Sequence, residues 1–196
     1  MIRYAKDTDR EALMQMWRIC FPEDDDYFLN FYFDNVYKNE ETLLYEENSQ
    51  PVTSLQMIPY QLKIDDSVAW GGYLSGVMTH PDYRKKGYMA QLMHASFDEM
   101  IKKRYDYTFL IPEEKWLVKV YEKFGFILCK RSSQPPKNKV LKSPKQFDII
   151  KQNYFDDYGV WLNDEIQDPK EHKGMIKRLN PNAKEINTLY MGMMLD

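Results

Sequence analysis

The chain has 196 residues and a mass of 23.6 kDa, enough for one large domain or two small ones. Hydrophobic residues make up 43% and charged residues 29%, which excludes a globally disordered chain. The 27 Lys and Arg against 30 Asp and Glu leave a net charge of −3, so no overall field favours nucleic acid or an anionic membrane.

Ile2 to Tyr4 reads as an opening strand, and Thr8-Asp9-Arg10-Glu11 as a capping box in which Thr8 caps the first helix. Leu13, Trp17, Cys20 and Phe21 follow at helical spacing up to Pro22. Phe28, Phe31, Tyr32 and Val36 mark a second helix. Strands are expected over Thr42 to Glu46, Val52 to Ile64 and Val68 to Thr79. The turns Asn48-Ser49-Gln50-Pro51 and Asp65-Asp66-Ser67 join them into an antiparallel meander. Met89, Leu92, Met93, Ser96, Phe97, Met100 and Ile101 form the clearest amphipathic helix. A short strand over Tyr107 to Ile111 leads to a helix marked by Trp116, Leu117, Val120, Tyr121 and Phe124, with Gly125 as its C-cap glycine. Phe126 to Lys130 is a further strand. After the polar linker Ser132 to Lys137, helices are expected beginning after Pro144 and over Pro169 to Leu179, and a closing strand over Thr188 to Leu195.

This order gives a single domain over residues 1–196 with a mixed α/β sheet: a core over 1–131, a helical insert over 132–187 and a closing strand over 188–195. The β-α-β-α-β run from Val68 to Lys130 implies parallel strands beside the meander. The longest mostly apolar stretch, Val68 to Met78, is broken by three glycines and is too short to cross a bilayer. The N-terminus has no apolar signal core, so a cytoplasmic protein is expected. Cys20 and Cys129 form no CxxC pair and read as reduced thiols. His80, His94 and His172 show no zinc spacing with them, so no metal site is expected.

The segment Leu74 to Met89 carries the most chemistry. A strand ends, the basic turn Arg84-Lys85-Lys86 follows, and a helix begins at Gly87. Free N–H groups and partial positive charge at a helix N-terminus, three cationic side chains and a glycine that admits close approach together suit a diphosphate. A solvated basic turn is the plainer reading of the same residues.

The later run Tyr121-Glu122-Lys123-Phe124-Gly125-Phe126, in order after Arg84-x-x-Gly87-x-Met89, resembles the GNAT superfamily of acetyl-CoA-dependent N-acyltransferases. The resemblance is specific over Val68 to Phe126 and rests on element order before that. It implies the acyl-CoA N-acyltransferase fold, a mostly antiparallel sheet flanked by helices, with acetyl-CoA as cosubstrate. It also implies that the backbone of Val77, Met78 and Thr79 pairs with the pantetheine arm, one N–H polarising the thioester carbonyl. Arg84, Lys85, Lys86, Gly87, Tyr88 and Met89 would hold the pyrophosphate, and Tyr121 would protonate the departing thiolate. The alternative for Tyr121 is a core aromatic on the apolar face of its helix. Met89 stands where the family prefers Gly or Ala, and Glu114 where it often has Asn.

The acceptor implied is a small-molecule or peptide amine, taken by a monomer or homodimer, with neither nucleic acid nor membrane as partner. Glu46, Glu47, His80, Glu113 and Glu114 are the candidates for a base, and a water chain is the alternative. Glu23-Asp24-Asp25-Asp26 either attracts a cationic amine or, more simply, supplies the cap of the second helix. A non-catalytic acyl-CoA-binding or regulatory domain of the same fold is the rival to an enzyme.

Overall fold

The computed structural model describes residues 1–129, 138–141 and 174–187. Two compact units divide it: Met1–Ile58 with Leu74–Met100, and Pro59–Tyr73 with Ile101–Asp196. Strands β3 (Gln50–Ile64) and β4 (Ser67–Thr79) run through both.

In the first unit, β1 (Ile2–Tyr4) pairs antiparallel with β2 (Thr42–Glu47), and β2 pairs antiparallel with β3. Asn48 and Ser49 both have positive φ, and Glu47 sits opposite Gln50. That is the left-handed two-residue turn that matches strand twist in a tight hairpin. Helices α1 (Arg10–Cys20), α2 (Asp26–Asn35) and most of α3 (Tyr88–Lys102) complete the unit. Of the predicted stripe of α3, Leu92, Met93, Ser96, Phe97 and Met100 are inside, whereas Met89 is half-buried and Ile101, at the far end, is exposed.

In the second unit β4 pairs parallel with β5 (Tyr107–Leu110), as the β-α-β reading requires. Strand β7 (Asn138–Leu141) pairs with the end of β3. Strand β8 (Met175–Arg178) lies between β5 and β6 (Ile127–Leu128), antiparallel to both. Tyr60, Tyr73 and Phe109 meet pairwise at 5.5–6.2 Å between ring centres and form the middle of this unit's core. The sheet is mixed and mostly antiparallel, with helices, which is the expected fold class.

Two expectations are corrected. Met175–Arg178 is a strand inside the stretch Pro169 to Leu179 expected to be helical. Thr8 forms no capping box: α1 begins at Arg10 with Asp9 at its N-cap and no side-chain cap bond. Asp9 instead accepts from Lys6 N at 2.8 Å and from both terminal nitrogens of Arg3 at 2.6 and 2.9 Å. The helix expected after Pro144, the linker at Ser132 to Lys137 and the closing strand at Thr188 to Leu195 lie outside the described residues.

Candidate acyl-CoA site

The first unit brings Val77 to Met89 together on one continuous stretch. Gly76 has φ +56° and interrupts the extended backbone of β4 just before Val77. Val77 and Thr79 are half-buried, while Met78 between them points into the core. The Thr79 carbonyl accepts from Arg84 Nε at 3.1 Å and from the Cys20 thiol at 3.4 Å. Arg84 therefore braces the strand end against the following turn. A short 3-10 turn, Pro81–Tyr83, then delivers the chain to Arg84.

Lys85 and Gly87 both have positive φ, +65° and +82°. The first helical backbone bond is from Gln91 N to Gly87 O at 3.1 Å, so the N–H groups of the first turn of α3 have no acceptor within the helix. A Cβ on Gly87 would meet nothing within 4 Å, so its left-handed backbone, not crowding by the protein, is what calls for glycine. Lys86 Nζ lies 4.5 Å from the centre of the Tyr83 ring and 6.0 Å from that of Tyr88. Tyr88 stacks on Tyr45 with ring centres 4.2 Å apart, and its hydroxyl bonds to Glu47, which pushes its pKa up to about 12. An open, glycine-started helix N-terminus with cationic side chains fits the diphosphate of an acyl-CoA. Met89 is half-buried, so the large side chain at the family's small-residue position is turned only partly inward.

Tyr121 belongs to the second unit, on α4 (Lys115–Glu122). The helix ends with Phe126 N bonded to Tyr121 O at 3.3 Å and Gly125 N to Glu122 O at 2.9 Å, around Gly125 at φ +83°. This is a Schellman ending, and its usual apolar contact is present: the Tyr121 and Phe126 rings meet edge-on at 5.9 Å. Tyr121 is 6% exposed, and burial, helped by the Glu113 carboxylate, pushes its pKa up to about 12. It therefore stays protonated at neutral pH. Glu114 is exposed at the N-cap of α4 and makes no side-chain cap bond.

Three of the five candidate bases have other partners. His80 Nδ1 accepts from Asp82 N at 3.3 Å, as a local turn histidine does. Glu46 is held by Arg3 Nε at 2.7 Å, and Glu47 by Tyr88. The acidic run is structural in the same way. Asp25 caps α2 by accepting from Phe28 N at 2.7 Å, Asp24 accepts from the Trp17 indole at 2.7 Å, and Asp26 accepts from Arg18 at 2.9 Å. Sequence reasoning placed Tyr32 on the second helix and Ser75 and Gly76 ahead of the basic turn, but gave them and Gln56 no shared role; the four meet beneath β4. The one signal for them was a glycine inside a strand pattern.

No helix among the described residues is long and apolar enough to cross a membrane. No curated protein matches the chain. Several solved structures share its fold at low identity. A ribosomal-protein alanine N-acetyltransferase from Escherichia coli superposes with a TM-score of 0.58 at 13% identity, over 94% of this chain and 99% of that one. A GNAT family N-acetyltransferase from Escherichia coli, in complex with CoA, gives 0.60 at 14% identity, over 97% and 88%. A probable N-acyltransferase from Enterococcus faecalis gives 0.58 at 12% identity and covers 66% of this chain, which spans only 32% of that longer protein. The family model described as an acetyltransferase (GNAT) domain matches residues 1–129. The chain belongs to the GNAT acetyltransferase family.

Proposed function

We propose that this chain is an N-acetyltransferase that transfers an acetyl group from acetyl-CoA to a primary amine by direct attack in a ternary complex. The observation that carries the reading is the open N-terminus of α3, with Gly87 at φ +82° and Lys85 and Lys86 beside it. The backbone N–H groups from Lys85 to Met89 would take the pyrophosphate, with Lys85 and Lys86 adding charge. The backbone of Val77, Met78 and Thr79 would pair with the pantetheine arm, and one N–H there would polarise the thioester carbonyl. Arg84 contributes by bracing Thr79 as well as by its charge.

Tyr121 would face the departing sulfur. Its pKa of about 12 lies well above that of an ordinary thiol, about 8.5, so it serves best as a hydrogen-bond donor that hands over its proton late. With His80, Glu46 and Glu47 engaged elsewhere, Glu113, Glu114 and a chain of solvent water are the routes left for the amine's proton. Acceptors are small-molecule or peptide amines, and residues 1–196 act as one cytoplasmic domain, as monomer or homodimer. The stretch 132–187 would cover the acceptor cleft or make a dimer contact.

Thiol release from acetyl-CoA across an amine panel tests this. Tyr121→Phe is expected to lower kcat about a hundredfold, the usual worth of a positioned acid, and to leave acetyl-CoA binding intact. Met89 and the engaged base candidates favour the second reading, a non-catalytic acyl-CoA-binding domain. Binding without turnover on a broad panel would select it.

A further inference from the structure

Beneath β4, in the first unit, a chain of buried polar groups has a direction that can be read from its chemistry. Gln56 Nε2 donates to the Val36 carbonyl at 3.0 Å, which fixes the amide and turns its Oε1 toward the Tyr32 hydroxyl, 2.6 Å away. An amide oxygen only accepts, so the single proton of Tyr32 is committed there. The 3.0 Å contact between Tyr32 and Ser75 is therefore one in which Ser75 donates. The far end is tied down as well: Glu41, 7% exposed, takes a further bond from Gln56 and pairs with Lys38 at 3.4 Å. Tyr32, Gln56 and Ser75 are 1%, 3% and 8% exposed, so the chain works at low dielectric, where directed bonds are stiff.

The next residue of β4 is fixed from the other helix. A Cβ on Gly76 would fall 2.6 Å from Trp17 Cζ3, so α1 rests directly on the strand backbone. Trp17 is itself anchored by Asp24 at 2.7 Å and packs on Tyr32 with ring centres 4.7 Å apart. The space left among Tyr32, Gln56, Ser75, Gly76 and Trp17 is about 10 Å³, room for one water at most. Ser75 and Gly76 thus have little freedom to move, and they immediately precede the backbone of Val77.

We propose that Tyr32 and Trp17 are positioning residues, which set the direction of the Val77–Thr79 backbone through Ser75 and Gly76 and so aim the amide that polarises the thioester carbonyl. The inference rests on the acetyl-CoA reading above. It assigns the buried polar chain a purpose beyond packing, since hydrophobic residues of similar shape would fill the same space without fixing a direction.

The test is isotope-edited infrared spectroscopy of the carbonyl of [1-13C]acetyl-CoA bound to the full chain, with titration of CoA and a thermal melt on the same samples. The wild-type carbonyl stretch is expected to shift to lower frequency on binding. Ser75→Ala and Tyr32→Phe are each expected to lose about half of that shift or more, with CoA affinity within about twofold of wild type, because neither touches the diphosphate site. The double variant should lose little beyond either single one, since both break the same chain. Ser75→Ala removes only an oxygen atom and keeps the measurement open where Tyr32→Phe folds poorly. Folded variants with the full wild-type shift overturn the proposal, as does a wild-type chain that binds acetyl-CoA with no shift, which leaves the binding reading standing. A wild-type chain that binds neither CoA nor acetyl-CoA overturns both.

Discussion

Arg3, half-buried, and Glu41, buried, are charges with opposite consequences for stability. Arg3 binds Asp9 through two bonds and Glu46 through Nε, joining β1, the turn before α1, and β2. Arg3→Met would leave two partly buried carboxylates unpaired, and a loss of about 2–3 kcal/mol is expected in urea unfolding, just under the range for a fully buried pair. The guanidinium holds the Asp9 carboxyl below its ordinary 3.8, so its stabilisation is present above that pH and disappears as pH falls through the lowered value. Arg3→Met should therefore also move acid unfolding to higher pH. Glu41 has the reverse sign. Burial raises its carboxyl above the ordinary 4.5, so the folded state holds the proton more tightly and stability falls as pH rises through that window. One of its oxygens, Oε2, has no hydrogen-bond partner among the described residues. Glu41→Gln keeps the size and an acceptor for Gln56 but removes the charge. Thermal melts should show it gaining on wild type as pH rises from 4 to 7, and a gain that shrinks over that range would contradict the burial argument.

At the scale of elements, two glycines with the same sign of φ should behave differently. Gly76→Ala would put a methyl group 2.6 Å from the buried Trp17 ring at φ +56°, so steric conflict adds to backbone strain and a loss above about 3 kcal/mol is expected. Gly87→Ala meets no neighbour, so its cost is strain alone, about 1 kcal/mol, and its larger effect should be on CoA affinity at the start of α3. Unfolding and CoA titration on the two variants separate these effects. Most elements could be read from the sequence because each has one buried face. The stripe of α3 and the Tyr121-to-Phe126 helix ending are local patterns; the ending formed as expected, and the stripe did from Leu92 to Met100 but not at exposed Ile101. Strand β8 could not be read in this way. Met175 and Ile176 are 0% and 1% exposed, so neighbouring residues are buried on both faces of the strand and no alternation is left to separate strand from helix. The capping box failed for a different reason: Arg3 bonds the Asp9 carboxylate beside it, and no local motif encodes that pairing. The polar chain under β4 was equally hidden, since Tyr32 reaches Gln56 and Ser75 across 24 and 43 positions. The loop proposed for the diphosphate could be picked out in the sequence because its glycine and cations are adjacent there.

Across the whole molecule the net charge is −3, yet Arg84, Lys85 and Lys86 place three cations at one helix start. A polyanionic ligand must therefore be drawn by a local field inside an overall repulsive one, and such a field is sensitive to salt. Exposed Lys86, over the Tyr83 ring at 4.5 Å, keeps its ammonium at the surface and should act mainly through that field. Lys86→Ala is expected to weaken CoA binding about fivefold at 50 mM salt and by less than twofold at 1 M, where the screening length falls to about 3 Å. Arg84 has a second task, since its Nε holds the Thr79 carbonyl at 3.1 Å. Removing it loosens the strand end whatever the ionic strength. Arg84→Ala should thus weaken binding about tenfold at low salt and retain most of that loss at 1 M, since a bond to a carbonyl is screened far less than a free surface charge. Calorimetric titration of CoA into the two variants at both salt concentrations distinguishes the roles. Parallel salt dependence in the two would show that Arg84 acts as a charge alone and that its bond to Thr79 has no part in holding the cosubstrate.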